Sequence, residues 1–418
     1  MGIVGAAVLA LIAGLFIAAQ WGRTPATGSP VASASSTPSG TAASTAAPTT
    51  LLEAPDLASL AQGVTWTVGE TLASAAPDAV PSVVPARLER SGADPASRQQ
   101  RSLTGTGNAS LLQVQDAFAT ADAATKAYTA LAEQLGGCDA AGALITRGYA
   151  VSGLADQAAA MNVAVQDPDG QQHTLLLART GTTISIVDAA QSKTAFNAGN
   201  LAKALGASLQ RLCDSVAGTC PGTIKSVQAP PPVSGQPGWL VEADLPRVSA
   251  GAGRWGRTSP ASPNLVGSQC ESIDLNTMPG STQRSHRTYL LADDKAAPSG
   301  FGVDEALYTF GKAADATAAA KKISTAMEGC RERTRTATVT TLDPVKTVGA
   351  NGKDLTGSAY SVSQRISATK SVAFRVAVGV SGKRLVYLLA NPSTSFDFTD
   401  AEWGRLAARA LERASQGS

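Results

Sequence analysis

One segment of the chain is written twice, and this restricts the fold more than any other feature. QDAFATADAATKAYTALAEQLGGC at 115–138 and LYTFGKAADATAAAKKISTAMEGC at 307–330 carry Phe118/Phe310, Ala121/Ala313, Ala124/Ala316, Thr125/Thr317, Ala127/Ala319, Gly137/Gly329 and Cys138/Cys330 in register. Each reads as an apolar helix ending on Gly-Cys, the second from about Val303 to Glu328. The repeat period is on the order of 190 residues, far beyond the ~20 to 50 of a solenoid. A duplicated domain is therefore expected.

The surrounding segments recur in the same order. LLEAPDLASL (51–60) and LVEADLPRV (240–248) open the two units, with Asp56-Leu57 matching Asp244-Leu245, and Trp66 and Trp255 follow. Short apolar segments come next, SLTG at 102–105 and TYLLA at 288–292. After each Gly-Cys lies a period-two run, AAMNVAVQ (159–166) or SAYSVSQRI (358–366). A hairpin follows in each unit, turning at Thr180-Gly181 or Ser381-Gly382, where glycine supplies a positive φ. Amphipathic helices at 196–213 and 398–415 close the units, the second with Thr399 or Asp400 as N-cap. The expectation is an α+β fold of two homologous domains, each a twisted, mostly antiparallel sheet packed with two main helices. The domains are 51–224 and 239–418, and the Pro-rich stretch 225–238 reads as a semi-rigid spacer.

The N-terminal 1–22 is uncharged from Gly2 to Gln20, long enough as a helix to cross a bilayer core of ~30 Å. It reads as a transmembrane anchor or a signal segment, and the weak small-x-small pattern near Ala18 favours the uncleaved anchor. The Ser/Thr/Ala/Pro-rich stretch 23–50 holds too few large apolar groups to fold and reads as a disordered stalk. A net charge of +2 with 16% charged residues leaves no basic face for a nucleic-acid backbone, so no nucleic-acid partner is expected.

Five cysteines stand at 138, 213, 220, 270 and 330. A Cys270 to Cys330 bridge would close a long loop, and Cys213 with Cys220 could staple the first closing helix to the spacer. Cys138 is left either buried and inert or paired with Cys213 or another molecule. No Cys-x-x-Cys occurs, and no metal or cofactor is expected.

Catalytic signatures are absent. GAGRWG at 251–256 has the letters of a dinucleotide fingerprint without the flanking strand and helix, and reads as a loop. His173 and His286 are the only histidines, Asp293-Asp294 reads as a solvated turn, and no G-x-S-x-G or H-E-x-x-H occurs. Arg331, Arg333 and Arg335 alternate along what reads as a strand and could meet an anionic ligand, although a solvated sheet face is the commoner fate. Trp66 and Trp255 could line a ligand cleft, although a tryptophan packed on a sheet is commoner.

Together, the paired openings, the helices ending in Gly-Cys, the cysteine about 60 residues before Cys330, the terminal hairpins and the closing helices resemble the PknH-type extracellular sensor domain. The likeness would cover two copies. It implies an α+β domain with a groove for an unidentified ligand, held by disulfides, with Cys270 and Cys330 matching the family's helix-end bridge. Cys138 lacks that partner, and the second half lacks the family's additional bridge. The function expected is thus a non-catalytic, single-pass sensor or ligand-binding protein of the cell envelope, its ligand extracellular and its signal carried by a separate membrane partner. The alternatives are a secreted hydrolase with an unrecognised site and a structural protein-interaction module. If the body lies outside the membrane, a C-terminal alkaline phosphatase fusion should be active and a cytosolic fluorescent reporter dark; the reverse pattern would place it inside.

Overall fold

The apolar runs of the two hairpins, LLLA in the first half and LVYLLA in the second, alternate poorly because both faces of their sheets are covered. The computed structural model describes residues 50–72, 94–140, 142–167, 169–248, 254–292, 294–393 and 395–417. The proposed anchor at 1–22 and all but the last residue of the stalk at 23–50 lie outside these, as do residues 251–253 and Asp293. Among the described residues no helix is long and apolar enough to cross a membrane.

The first half runs β1 (Trp66–Leu72), β2 (Ser97–Gly105), β3 (Ala109–Ala117), α1 (Ala121–Gly137), β4 (Ala143–Ser152), β5 (Gln157–Val165), β6 (Gln172–Thr180), β7 (Thr183–Gln191), α2 (Ala198–Gln210) and β8 (Lys225–Ala229). The second runs β9 (Arg254–Arg257), β10 (Ser281–Ala292), β11 (Gly302–Phe310), α3 (Ala313–Glu328), the single turn α4 (Cys330–Arg333), β12 (Ala337–Thr341), β13 (Val345–Val348), β14 (Asp354–Arg365), β15 (Ser371–Ser381), β16 (Arg384–Ala390) and α5 (Asp400–Gln416). The fold is α+β, with two antiparallel sheets. Their strand orders are β1-β2-β3-β7-β6-β5-β4-β8 and β12-β14-β15-β16-β11-β10-β9, the same path with β8 added to the first and β13 beside β14 in the second.

Each sheet lies between two helices. Leu176 and Ala178 of β6 join α2 in one core, whereas Leu175 and Leu177 join α1 in the other. In the second half α5 and α3 take the corresponding faces. This double burial explains the near-continuous apolar runs.

Several boundaries differ from expectation. Residues 303–310, read as the start of a helix, form β11, because their apolar side chains alternate across a sheet that is buried on both faces. The 225–238 stretch is no spacer: its start forms β8, which pairs with β4 from Gly148↔Ala229 to Ser152↔Lys225. Its prolines then lie against both halves. Pro232 O is close enough to Gly136 that a Cβ there would meet it at 2.1 Å, so glycine is required at the end of α1. Residues 239–245 serve both cores, Val241 and Ala243 packing beside α1 and Trp239, Leu240 and Leu245 beside α5. Accordingly, Pro48–Ser418 is one compact unit.

Both expected disulfides are present. Cys213 and Cys220 are joined across a Cα separation of 5.0 Å, and Cys270 and Cys330 across 5.1 Å. The latter closes a sequence separation of 60, contributing on the order of 4 kcal/mol in the chain-entropy account. Cys138 is free and buried.

A buried ionic seam joins the halves. Arg413 on α5, 1% exposed, reaches Asp244 through Nε (2.8 Å to Oδ2) and Nη2 (3.2 Å to Oδ1). It also donates to Pro232 O at 2.9 Å and to Gly136 O at 2.9 Å, satisfying a carbonyl in the last turn of α1 that has no partner within its own helix. Arg409, one turn earlier, lies 3.5 Å from Asp244 and 2.8 Å from Glu412, and donates to Ile145 O on β4. Glu412 in turn accepts from Thr347. Removing one member of such a buried set strands the other charges, at a cost of about 3–5 kcal/mol. Arg413→Ala should lower stability by that amount in denaturant melts. The Asp244→Ala/Arg413→Ala double variant should lose clearly less than the sum of the two single losses; strict additivity would show that the two residues are not coupled.

Candidate ligand cleft

The segment Trp239–Leu245 divides two cavities. One, of about 320 Å³, lies between the halves and is lined by Cys138, Asp139, Asp167, Glu242, Arg247 and Trp255, among others. Its walls are tied together: Arg247 Nη1 meets Asp167 Oδ1 at 3.0 Å and Gln166 O at 3.0 Å, and its backbone N–H donates to Gln166 Oε1 at 2.8 Å. Trp255 is fixed by its indole N–H donating to Pro246 O at 3.0 Å and by stacking on Phe398 with ring centroids 6.1 Å apart. The cleft thus offers one anchored aromatic surface with charges of both signs around it. Such a mixture orients a polar ligand and supplies little apolar burial.

Cys138, in a left-handed C-cap conformation (φ 44°), closes α1 at the cleft floor. Burial, reinforced by Asp244, Asp139 and Asp188, pushes its thiol up to about 12, so it is neutral and poorly nucleophilic.

The other sequence candidates are dispersed. Trp66 does not line this cleft: it is 7% exposed and packs on Phe196 with centroids 6.1 Å apart. Arg331 and Arg333 lie on the helical turn α4 and Arg335 in the turn after it, so the expected strand face does not form. The Cys270–Cys330 bridge holds this segment as a coil back against the 258–280 loop, and Arg333 completes the clamp by donating to Cys270 O (2.9 Å), Ala326 O (2.5 Å) and Gly329 O (3.1 Å). Its role is to cap α3. Arg254–Gly256 of the glycine-rich stretch, read as a loop, belong to β9 and pair with β10.

The two histidines each meet an aspartate. His173 Nδ1 lies 2.9 Å from Asp188 Oδ1 in the first sheet. His286 Nε2 lies 2.8 Å from Asp304 Oδ1 and 3.3 Å from Thr288 Oγ1, while Thr288 donates to the same aspartate oxygen at 2.7 Å. A catalytic relay needs the carboxylate on one ring nitrogen and the nucleophile on the other. At His286 both approach Nε2, which makes a closed polar cluster. Among the described residues the grouping closest to metal-ligand geometry is Cys213, Asp214 and Cys220, whose sulfurs are consumed in the disulfide.

Residues that sequence reasoning passed over are paired by register. Arg101 stands opposite Gln113 on β2–β3, and Arg287 opposite Glu305 on β10–β11, at the same places in the two sheets. Leu52 N–H donates to Gln113 Oε1 at 2.6 Å, and Leu240 N–H to Glu305 Oε2 at 3.1 Å. The matching Asp-Leu pairs in the two openings were the available signal. Asp56 accepts from Arg211 just past α2, as Asp244 accepts from Arg413 on α5.

No protein-family model and no curated protein matches the chain. Among solved structures, the extracellular domain of PknH from Mycobacterium tuberculosis is similar at 15% identity over 43% of this chain and 97% of that one, with a TM-score of 0.25. DynU16, a putative protein in the dynemicin biosynthetic locus, aligns at 8% identity over 84% of this chain and 96% of that one, with a TM-score of 0.13. The likeness to the PknH domain is distant.

Glu305 on β11 is fully buried. Burial pushes its carboxyl up to about 7, against the opposing effects of Tyr289 O–H, Leu240 N–H and Arg287. Between about pH 4.5 and 7 the folded chain therefore keeps a proton that the unfolded chain has released, so stability falls as pH rises through that window. The neutral residue at the equivalent place, Gln113, shows what the site accepts. Glu305→Gln should raise the melting temperature at pH 8, by the equivalent of on the order of 3 kcal/mol, and leave it nearly unchanged at pH 4.5. Equal effects at both pH values would rule out a buried ionisation.

Proposed function

We propose that the chain is a non-catalytic sensor or ligand-binding protein of the cell envelope, exported on its N-terminal helix and taking a small polar ligand into the cleft between its halves. The observation that carries this reading is the cleft itself, an anchored indole and a tied arginine contributed by one half facing acidic residues and the end of α1 contributed by the other. The two disulfides suit an oxidising compartment outside the cytoplasm. The cleft supplies what recognition needs, a fixed apolar face and oriented charges, while its one thiol is held neutral. A separate membrane partner would carry any signal inward, reading a change in how the ligand holds the two halves.

Native mass spectrometry of the protein purified from its own envelope should show a non-covalent adduct in the small-molecule mass range. The adduct should be lost in Trp255→Ala, with the unliganded fold retained by circular dichroism. Protein free of any adduct, or an adduct indifferent to Trp255→Ala, would count against the cleft as the binding site.

A further inference from the structure

We propose that the second cavity, within the second half, is a binding site for a small polar molecule carrying an oxyanion, with Arg287 as its principal ligand. This goes beyond the cleft reading and stands independently of it. The cavity, of about 500 Å³, is lined by Ser234, Gln236, Trp239, Arg257, Ser259 and Arg287, among others, and no lining side chain is acidic.

Arg287 is a costly residue to leave there. It is 6% exposed, its guanidinium lies over the Trp239 ring at 5.0 Å, and its Nη2 donates to the neutral Gln236 Oε1 at 3.0 Å, with the neutral Tyr289 hydroxyl beside it. Its Nε is buried without a hydrogen-bond partner, and among the described residues no carboxylate oxygen comes within 4.0 Å of it. Glu305, across the strand pair, is the nearest acid by register, and it is engaged with Tyr289 and Leu240 N–H. A buried cation with no carboxylate in contact is unfavourable by several kcal/mol, and an anion in the adjoining cavity relieves that cost.

The first half provides the internal comparison. At the equivalent place Arg101 is satisfied by the protein, with Nε donating to Thr71 Oγ1 at 3.0 Å and Nη1 to Leu52 O at 3.0 Å. Thr71 belongs to β1, which continues past Arg101 as far as Leu72. In the second half the edge strand is interrupted: β9 ends at Arg257, opposite Tyr289, Thr258 still donates its N–H to Thr288 O at 3.0 Å, and Ser259 and Pro260 bulge out to line the cavity before Ala261 rejoins opposite His286. The carbonyl that would match Leu52 O is Leu240 O, and Tyr289 O–H takes it at 2.8 Å. Both acceptors that satisfy Arg101 are thus missing at Arg287, and a void stands in place of one of them. Arg257 adds a second cation at the rim, held by Glu242 at 2.5 Å, and Ser259 and Ser234 add hydroxyl donors. A guanidinium beside hydroxyls suits an oxyanion, whether planar carboxylate or tetrahedral phosphate.

The test is isothermal titration calorimetry of the full folded chain at constant ionic strength with sulfate, phosphate and acetate as separate probes. At least one should bind saturably at one site per chain, and the preferred geometry tells a phosphate-type ligand from a carboxylate. Arg287→Gln should weaken that binding at least tenfold. Because it could also disturb folding, the rim variant Arg257→Gln is measured beside it and should weaken binding about threefold or more with an unchanged melting temperature. Trp255→Ala, in the other cleft, should leave the oxyanion affinity unaltered. Absence of saturable binding by all three anions, or affinity indifferent to both arginine changes, would overturn the proposal.

Discussion

The contact between Asp244 and Arg413 organises more of this molecule than any other. It fixes the C-terminal helix to the opening of its own half, and through Gly136 O and Pro232 O it fastens that helix to the end of α1 and to the proline segment. Buried ion pairs seldom add much net stability, because desolvation offsets most of the attraction. Their value lies in direction. A guanidinium that must meet a carboxylate and two carbonyls at once permits one arrangement of three chain segments, where apolar packing alone would tolerate several.

The two halves use the same scaffold with different electrical content. In the first, Asp56 meets Arg211 at a partly exposed position, Gln113 receives the Leu52 N–H, and Arg101 is satisfied by backbone and hydroxyl. In the second, the matching places hold a fully buried Asp244–Arg413 pair, an acid at Glu305 and an arginine facing a void. At these matching places charge lies deeper in the second half, which also holds the Arg287 cavity. That half also carries the long disulfide, which fastens the irregular 258–280 segment to the end of α3, while Glu271 beneath it accepts from Ser268 and Tyr387. A segment with little regular structure is held by a covalent link, a buried acceptor and the side chains of Arg333 and Tyr308, which donate to Cys270 O and Leu275 O.

The cleft between the halves and the Arg287 cavity share the wall formed by Trp239–Leu245. Glu242 faces the first and pairs with Arg257 at the rim of the second. Side chains of that segment are divided between the cores of the two sheets, Val241 and Ala243 in the first and Trp239, Leu240 and Leu245 in the second.

The local pattern of the sequence was enough to reveal the helices ending in Gly-Cys, the Thr180-Gly181 and Ser381-Gly382 turns, the Thr399 cap and the repeated order of elements, because each depends on residues a few positions apart. It misjudged residues 303–310, where an apolar strand buried on both faces carries no clear period, and 225–238, where composition described a spacer and the hydrogen bonds of β4 recruited a strand. Trp66 and Trp255 occupy corresponding places in the order of segments, yet one fills a core and the other walls a cleft. What the amino-acid order determined was the set of elements and their repetition. The tertiary structure alone decided that Arg413 reaches Gly136 and that the Nε of Arg287 meets no acceptor, because both depend on where distant segments stop, and the end of a strand such as β9 is set by the neighbours it packs against.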